Sequence, residues 1–283
     1  MKSLNRRDGN LLAKVLIYVV CIFFVILCLW PFFIMVINST RSTFQIQSHA
    51  VSFLPSKYLM NNWKVFDGKT FNVFSGLRNS FLISAGSTIL TIYFSTLTAY
   101  ALVAYEWKLR QPFFTFILCI MMIPGTIVAI GTYQFMYQIH LVNSLLALIL
   151  PAIAAPPAVF FMRQFMVASF PLELLDSARI DGSREFHTFN TIALPIMKPA
   201  MATQGIFSFV NNWNQIFLPS ILLTKNELYT LPVMVSQLKG DIYKVEYGAV
   251  YLGLTITVLP LFIIYFALSK YIVAGVALGS VKG

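Results

Sequence analysis

An uncharged run of 23 residues, Val15 to Ile37, is followed by five further long apolar blocks, and a chain built this way has few folds open to it. About 20 apolar residues carry a helix across the hydrocarbon core of a bilayer. The blocks lie near 15–37, 81–104, 113–137, 143–168, 199–223 and 247–269. They predict an all-α, polytopic membrane protein with six transmembrane helices in one domain spanning 1–283. Only 11% of residues are charged, against about 25% in soluble domains, so the chain cannot cover a water-facing surface. The alternating pattern of a barrel is absent, and lipid offers a lone strand no hydrogen-bond partner. A secretory signal has an apolar region of about 7 to 15 residues, so the longer first block, with no small-residue cleavage site after it, is expected to be retained.

Six spans put both termini on one side, and Lys and Arg choose which. The N-terminal tail (Lys2, Arg6, Arg7, Lys14), the connector with Lys108 and Arg110, the connector around Arg163, Arg179, Arg184 and Lys198, and the tail with Lys270 and Lys282 carry 12 of them. The other side carries 8 (Arg41, Lys57, Lys64, Lys69, Arg78, Lys225, Lys239, Lys244), five within one long connector. Both termini are therefore expected in the cytoplasm. The net charge of +10 sits in these connectors, where it reads as topology signal and lipid-headgroup contact rather than nucleic-acid binding.

Several kinds of chemistry find no support. Cys21, Cys28 and Cys119 lie in apolar blocks without a C-x-x-C pair, and His49, His140 and His187 are scattered over three connectors. No metal site or catalytic group is expected. Gly68-Lys69-Thr70 mimics the end of a P-loop, but Trp63 stands where the first glycine is required. All ten Asp and Glu residues fall in tails or connectors, which argues against a carrier that binds a coupling ion inside the membrane.

The connector at 169–198 is patterned. Pro171, Glu173 in the first turn and Gly182 at the end predict a short helix closed by a left-handed residue. A second helix is predicted from Ser183, with Phe186, Phe189 and Ala193 at helical spacing, ending at Pro195. Leu172, Leu175, Ser177 and Ala178 would let another protein approach closely; a helix resting on headgroups fits the pattern equally.

Asp176-Ser-Ala-Arg-Ile-Asp-Gly182, nine residues, then Ile192-Ala-Leu-Pro195 resembles the E-A-A-x-x-x-G-x9-I-x-L-P signature of binding-protein-dependent ABC importer permeases. Asp176 stands for the signature Glu and Ser177 for its first Ala, keeping charge and size. Phe53-Leu54-Pro55 leading to Asn62-Trp63, Arg78-Asn79-Ser80, and the ending from Gly275 to Gly283 are similar to the carbohydrate, maltose-type branch. The resemblance implies that this connector is the coupling helix seated in a cleft of a cytoplasmic ATPase dimer. Asp176, Ser177, Ala178 and Gly182 would carry that role, with Glu173 and Asp181 in the same element and Ile192, Leu194 and Pro195 supporting the turn. It also implies a second permease subunit, usually a distinct chain, an extracytoplasmic solute-binding protein, and ATP and Mg held by the ATPase rather than here. The setting would be a bacterial-type inner membrane and the cargo a sugar or oligosaccharide.

Within the fifth block, Asn211, Asn214 and Gln215 share one helical face with Trp213 beside them. Uncharged amides at that depth serve either as interhelical hydrogen-bonding groups or as a lining for a neutral, hydroxyl-rich substrate. The Trp213-Asn214 pair resembles the family's own in this span; Tyr133 and Gln134 in the third block are further candidates for the path. An ion-coupled carrier, or a permease for another neutral solute, is the alternative at this stage.

Overall fold

A computed structural model describes residues 5–68, 71–239 and 245–280, and every regular element in them is helical. Lys2, Lys69, Thr70, Asp241, Lys244 and residues 281–283, with Lys282 and the last of the maltose-type ending, lie outside them. The main helices are α1 (Asn5–Ser39), α2 (Val73–Ala104), α3 (Arg110–Met121), α4 (Gly125–Gln138), α5 (Pro156–Ser169), α6 (Glu173–Ile180), α7 (Lys198–Trp213), α8 (Phe217–Leu222) and α9 (Tyr247–Ser280). Four stretches are long and apolar enough to cross a bilayer as single spans: 13–39, 73–104, 146–169 and 247–266.

The other two expected spans are broken. α3 and α4 meet at 101° across Met122, Ile123 and Pro124, so they count as one span only as a bent pair. Pro124 cannot donate into a helix, and its ring forces the preceding residue out of helical geometry. The block expected at 199–223 divides into α7 and α8, with residues 214–216 between them. α7 has 16 residues and is about 24 Å long, short of the ~30 Å hydrocarbon core. Pro219 contributes to the break, because no N–H is available there for the carbonyl of Gln215. Pro31 and Pro260, by contrast, are carried within α1 and α9 without ending them.

One compact unit comprises residues 1–68 and 237–256. Its α1 presents large apolar side chains outward from Val15 to Phe33, the surface that hydrocarbon rather than water would wet. Beyond α1 the chain is fastened by buried polar groups. Arg41, 7% exposed, donates to Asn38 Oδ1 (2.8 Å) and to the carbonyls of His49 (2.8 Å) and Gln45 (2.9 Å). Asn62 Nδ2 donates to the carbonyls of Ser39 (2.8 Å) and Arg41 (2.9 Å), so the Asn of the Asn62-Trp63 motif is a structural tie. Gly248 lies so close to Asn62 and the Arg41 carbonyl that a Cβ there would collide with both.

The second unit, residues 69–236 and 257–283, is built around α2, which packs most extensively against α5 and α7. Close approach is possible because α2 buries a stripe of small residues: Gly76, Ser80, Ser84, Ser87, Thr91, Ser95 and Ala99. The stripe also repairs the proline breaks opposite it. Pro156 has no N–H for the carbonyl of Ala152, and Thr91 Oγ1 donates to that carbonyl instead (3.0 Å), while Ser87 Oγ reaches the carbonyl of Leu148 (3.3 Å). Thr91→Val should lower stability by about 0.5–1.5 kcal/mol. Thr98→Val should change little, since Thr98 bonds only the Phe94 carbonyl of its own helix (2.8 Å). Thermal midpoints of the two purified variants would separate these cases.

Two polar residues at the start of α2 are likewise structural. Asn79 Nδ2 donates to the carbonyls of Glu227 (2.8 Å) and Tyr229 (3.2 Å), and Ser80 Oγ accepts from the N–H of Leu231 (2.9 Å). The Asn and Ser of Arg78-Asn79-Ser80 thus hold the segment after α8 onto α2.

Candidate functional site

The connector folds as its glycine demands. Asp181 caps α6, and Gly182 adopts φ +78°, the left-handed conformation that costs glycine no Cβ clash. The Gly182 N–H bonds the Arg179 carbonyl (3.0 Å) and the Ser183 N–H bonds the Ala178 carbonyl (2.9 Å), the paired bonds of a Schellman turn. Helical structure then resumes at Glu185–Thr188 and continues through a π turn at Phe189–Ala193 into Leu194–Ile196 and α7. The expectation that Pro195 ends this helix is therefore corrected. The Leu194 N–H bonds the Phe189 carbonyl five residues back, and the widened turn takes the proline in without stopping the helical course.

The faces of α6 also differ from expectation. Leu175 and Ala178 are buried, in a core with Tyr100, Met162, Met166, Phe170 and Phe189 around the former, so they are not offered to a partner. Ala178 is 6% exposed within this chain alone. The outward residues are Leu172, Glu173, Leu174, Asp176, Ser177, Ile180 and Asp181, with Gly182 at the tip and Phe186 beyond it. Ile180 is 87% exposed, with Leu174 exposed on the same short helix and Leu172 just before it. Ile192 and Leu194 are half-buried and Pro195 exposed.

A network that sequence reading missed holds α6 to the end of α2. Glu185 Oε2 accepts from the hydroxyls of Tyr105 (2.6 Å) and Tyr100 (3.3 Å), and Glu185 Oε1 accepts from Arg179 Nε (2.9 Å). The same guanidinium donates to Asp176 Oδ1 (3.2 Å) and to the Ala104 carbonyl (3.2 Å). Arg179 and Glu185 thus clamp the two sides of the Gly182 turn. The hydrogen bond from Arg179, then that from Tyr105, holds the Glu185 carboxyl below the usual carboxylate range. Burial, then the bond to Glu185, pushes the Tyr105 phenol well above its ordinary value, so it remains a donor at neutral pH.

The amides of the fifth block do not act as one group. Trp213 is turned into the core, 2% exposed, donating from Nε1 to the Thr257 carbonyl (3.0 Å) and stacking on Phe209 at 5.7 Å. α7 ends at Trp213, which leaves Asn214 and Gln215 exposed at the break. Asn211 instead lines a cleft of 480 Å³ with Gln204, Ser208, Asn212, Phe207 and Thr91. Gln204, Ser208 and Asn211 recur at i, i+4 and i+7, a polar stripe legible in the sequence once the window is carried one turn back from Asn211. Among the described residues, the side-chain amides of Gln204, Asn211, Asn214 and Gln215 make no hydrogen bond. Asn212, however, donates to Ser208 at its carbonyl (2.8 Å) and Oγ (3.3 Å). Tyr133 packs with Met136, Leu148 and Leu222, and neither it nor Gln134 lines this cleft.

Residues 91–278 match the model of the binding-protein-dependent transport system inner membrane component family. The chain belongs to this family. It is 34% identical to the arabinooligosaccharides transport system permease protein AraQ of Halalkalibacterium halodurans, over 92% of this chain and 94% of that one. It is 34% identical to the lactose transport system permease protein LacG of Rhizobium radiobacter over the full length of both. The fold is similar to a chain in the crystal structure of a bacterial ABC transporter involved in the import of the acidic polysaccharide alginate, with a TM-score of 0.75, 20% identity, and 96% of this chain and 99% of that one covered. The expected identification as an ABC importer permease with an all-helical, multi-pass membrane fold is thereby borne out.

In this permease the Glu185 clamp has a definite pH signature. A carboxyl held low in the folded state stabilises above its unfolded pKa of ~4.3, and that contribution disappears as pH falls through the lower folded value. Amide-exchange protection of residues 173–188, corrected for intrinsic rates, should be flat from about pH 8 to 5 and fall below about pH 4. Glu185→Gln should lose about 1 kcal/mol of local protection, a figure discounted for partial solvent screening, and show no such fall.

Proposed function

We propose that this permease carries a neutral sugar or oligosaccharide across the membrane in an ATP-driven, binding-protein-dependent import system. The observation that carries the substrate class is the cleft beside α7: Gln204, Ser208 and Asn211 point polar, uncharged groups into it, and no ionised side chain lines it. Amides and hydroxyls match the donors and acceptors of sugar hydroxyls, and a volume of 480 Å³ lies within the range of small-molecule sites, about 300–1,000 Å³. The similarity to AraQ and LacG, named as permeases for arabinooligosaccharides and lactose, supports the same class.

In this reading both termini face the cytoplasm. Residues 169–198 meet a cytoplasmic ATPase dimer that binds ATP and Mg, while this chain catalyses no reaction and binds no cofactor. Glu173, Asp176, Ser177, Asp181 and Gly182 form the contact; Ala178 seats the element from behind; Ile192, Leu194 and Pro195 support the turn. A second, homologous permease completes the path and an extracytoplasmic binding protein delivers the sugar. Closure of the ATPases would push the two coupling helices together and switch access from inside to outside.

The test is reconstitution of the complex in proteoliposomes with its binding protein. Lactose, maltose or an arabino-oligosaccharide should stimulate ATP hydrolysis and accumulate, and uptake should persist when ion gradients are collapsed with ATP preserved. Accumulation that follows the ion gradient, or stimulation by none of the neutral sugars, would sink the proposal.

A further inference from the structure

A second cavity, of 490 Å³, lies between the end of α2, α5 and α6 and is lined by Arg110, Arg163 and Arg179 together with Glu106 and Asp176. Arg179 is committed, ion-paired to Asp176 (3.2 Å) and Glu185 (2.9 Å). Arg163 is not. It stands inside the 146–169 span with its guanidinium 4.0 Å above the Phe114 ring, and its Nε is buried without a hydrogen-bond partner. Among the described residues its side chain forms neither a hydrogen bond nor an ion pair, and the Arg110 side chain forms a single long bond, to the Tyr105 carbonyl at 3.3 Å. A half-buried guanidinium resting on the Phe114 ring, with its Nε buried and unpartnered, is favoured by an anion joining it in the cavity.

From this geometry we infer that the cavity binds a phosphate group through Arg163 and Arg110, in the form of the phosphodiester of an anionic membrane lipid. Guanidinium forks match phosphate oxygens in pairs, which a point charge cannot do. The connector beside the cavity exposes Trp107 and Leu109, with Phe113 exposed on the first turn of α3, and a tryptophan favours headgroup depth, so a lipid phosphate would meet the two arginines near that level. Leu172, Leu175, Asp176 and Arg179 of the coupling segment form one wall of the same cavity, so an occupant would touch the element proposed to meet the ATPase. The inference itself does not depend on that proposal or on the identity of the sugar.

The purified complex, delipidated and placed in nanodiscs of phosphatidylcholine with spin-labelled phosphatidylglycerol, provides the test. Wild type should immobilise phosphatidylglycerol in preference to phosphatidylcholine. Arg163→Gln and Arg110→Gln should each weaken that preference about fivefold, and the exposed Lys108→Gln by less than about twofold. If Arg163→Gln fails to assemble, Arg110→Gln decides the matter, as its half-buried side chain carries little of the core. Arginine-dependent binding of inorganic phosphate without lipid retention would keep the phosphate site and assign it a soluble ligand. Equal retention of both lipids together with no phosphate binding, retention unchanged in both arginine variants, or a carboxylate of a partner subunit against Arg163 in the assembled complex would overturn it.

Discussion

Gly182→Arg should leave the permease inserted and folded but cut uptake by about a hundredfold, the equivalent of one interface hot spot of about 3 kcal/mol. Nothing lies within 4 Å of a Cβ built on Gly182, so the new side chain would project outward rather than into the core. Its cost to folding is the strain of φ +78° in a residue with a Cβ, about 1–2 kcal/mol. Gly182→Ala bears the strain without the bulk and charge, and its uptake should fall much less. Membrane yield measured beside transport separates the two effects. Normal transport by Gly182→Arg at normal yield would remove the coupling assignment.

Trp213→Ala should act through stability. Removing a 2% exposed indole loses its packing on Phe209 and its bond to Thr257, a change of about 3–5 kcal/mol, enough to deplete folded protein from the membrane. Asn211→Ala should do the reverse. An exposed amide with no partner among the described residues can be removed within about 0.5 kcal/mol of wild-type stability. If it bonds substrate, half-saturation for sugar should rise about tenfold, the loss of roughly 1.4 kcal/mol. Fluorescence-detected chromatography of the two variants, followed by uptake at graded sugar concentrations, reads both outcomes. A stable Trp213→Ala protein with impaired sugar saturation would return Trp213 to the substrate path.

Local chemistry made part of this legible in advance. An apolar block such as 15–37 has no alternative to burial in lipid, and Gly182 announces its own turn because a positive φ suits few other residues. What escaped sequence reading depends on distant partners. Glu185 meets Tyr100 and Tyr105, 85 and 80 residues earlier, and nothing near position 185 encodes that meeting. Trp213, Leu175 and Ala178 each sit on amphipathic stretches with two plausible inward faces, and packing against the rest of the unit chose between them. Proline was the least transferable signal: Pro124 produces a sharp bend, Pro260 is carried inside α9, and Pro195 is absorbed by a π turn. At Pro156 a neighbouring helix takes up the orphaned carbonyl, Thr91 bonding that of Ala152, and no residue near Pro156 in the sequence encodes this.

The π turn at Phe189–Ala193 has a mechanical consequence. From Glu185 to Trp213 the helical course is interrupted only at Met197, itself in right-handed helical geometry, so no loop separates the segment beside Gly182 from the amide stripe of α7. Under the proposed coupling, a push at the tip would meet no loop between Glu185 and α7. Such a push would pass to α7 as a shift or rotation, with the π turn the point along the way where the helical pitch changes.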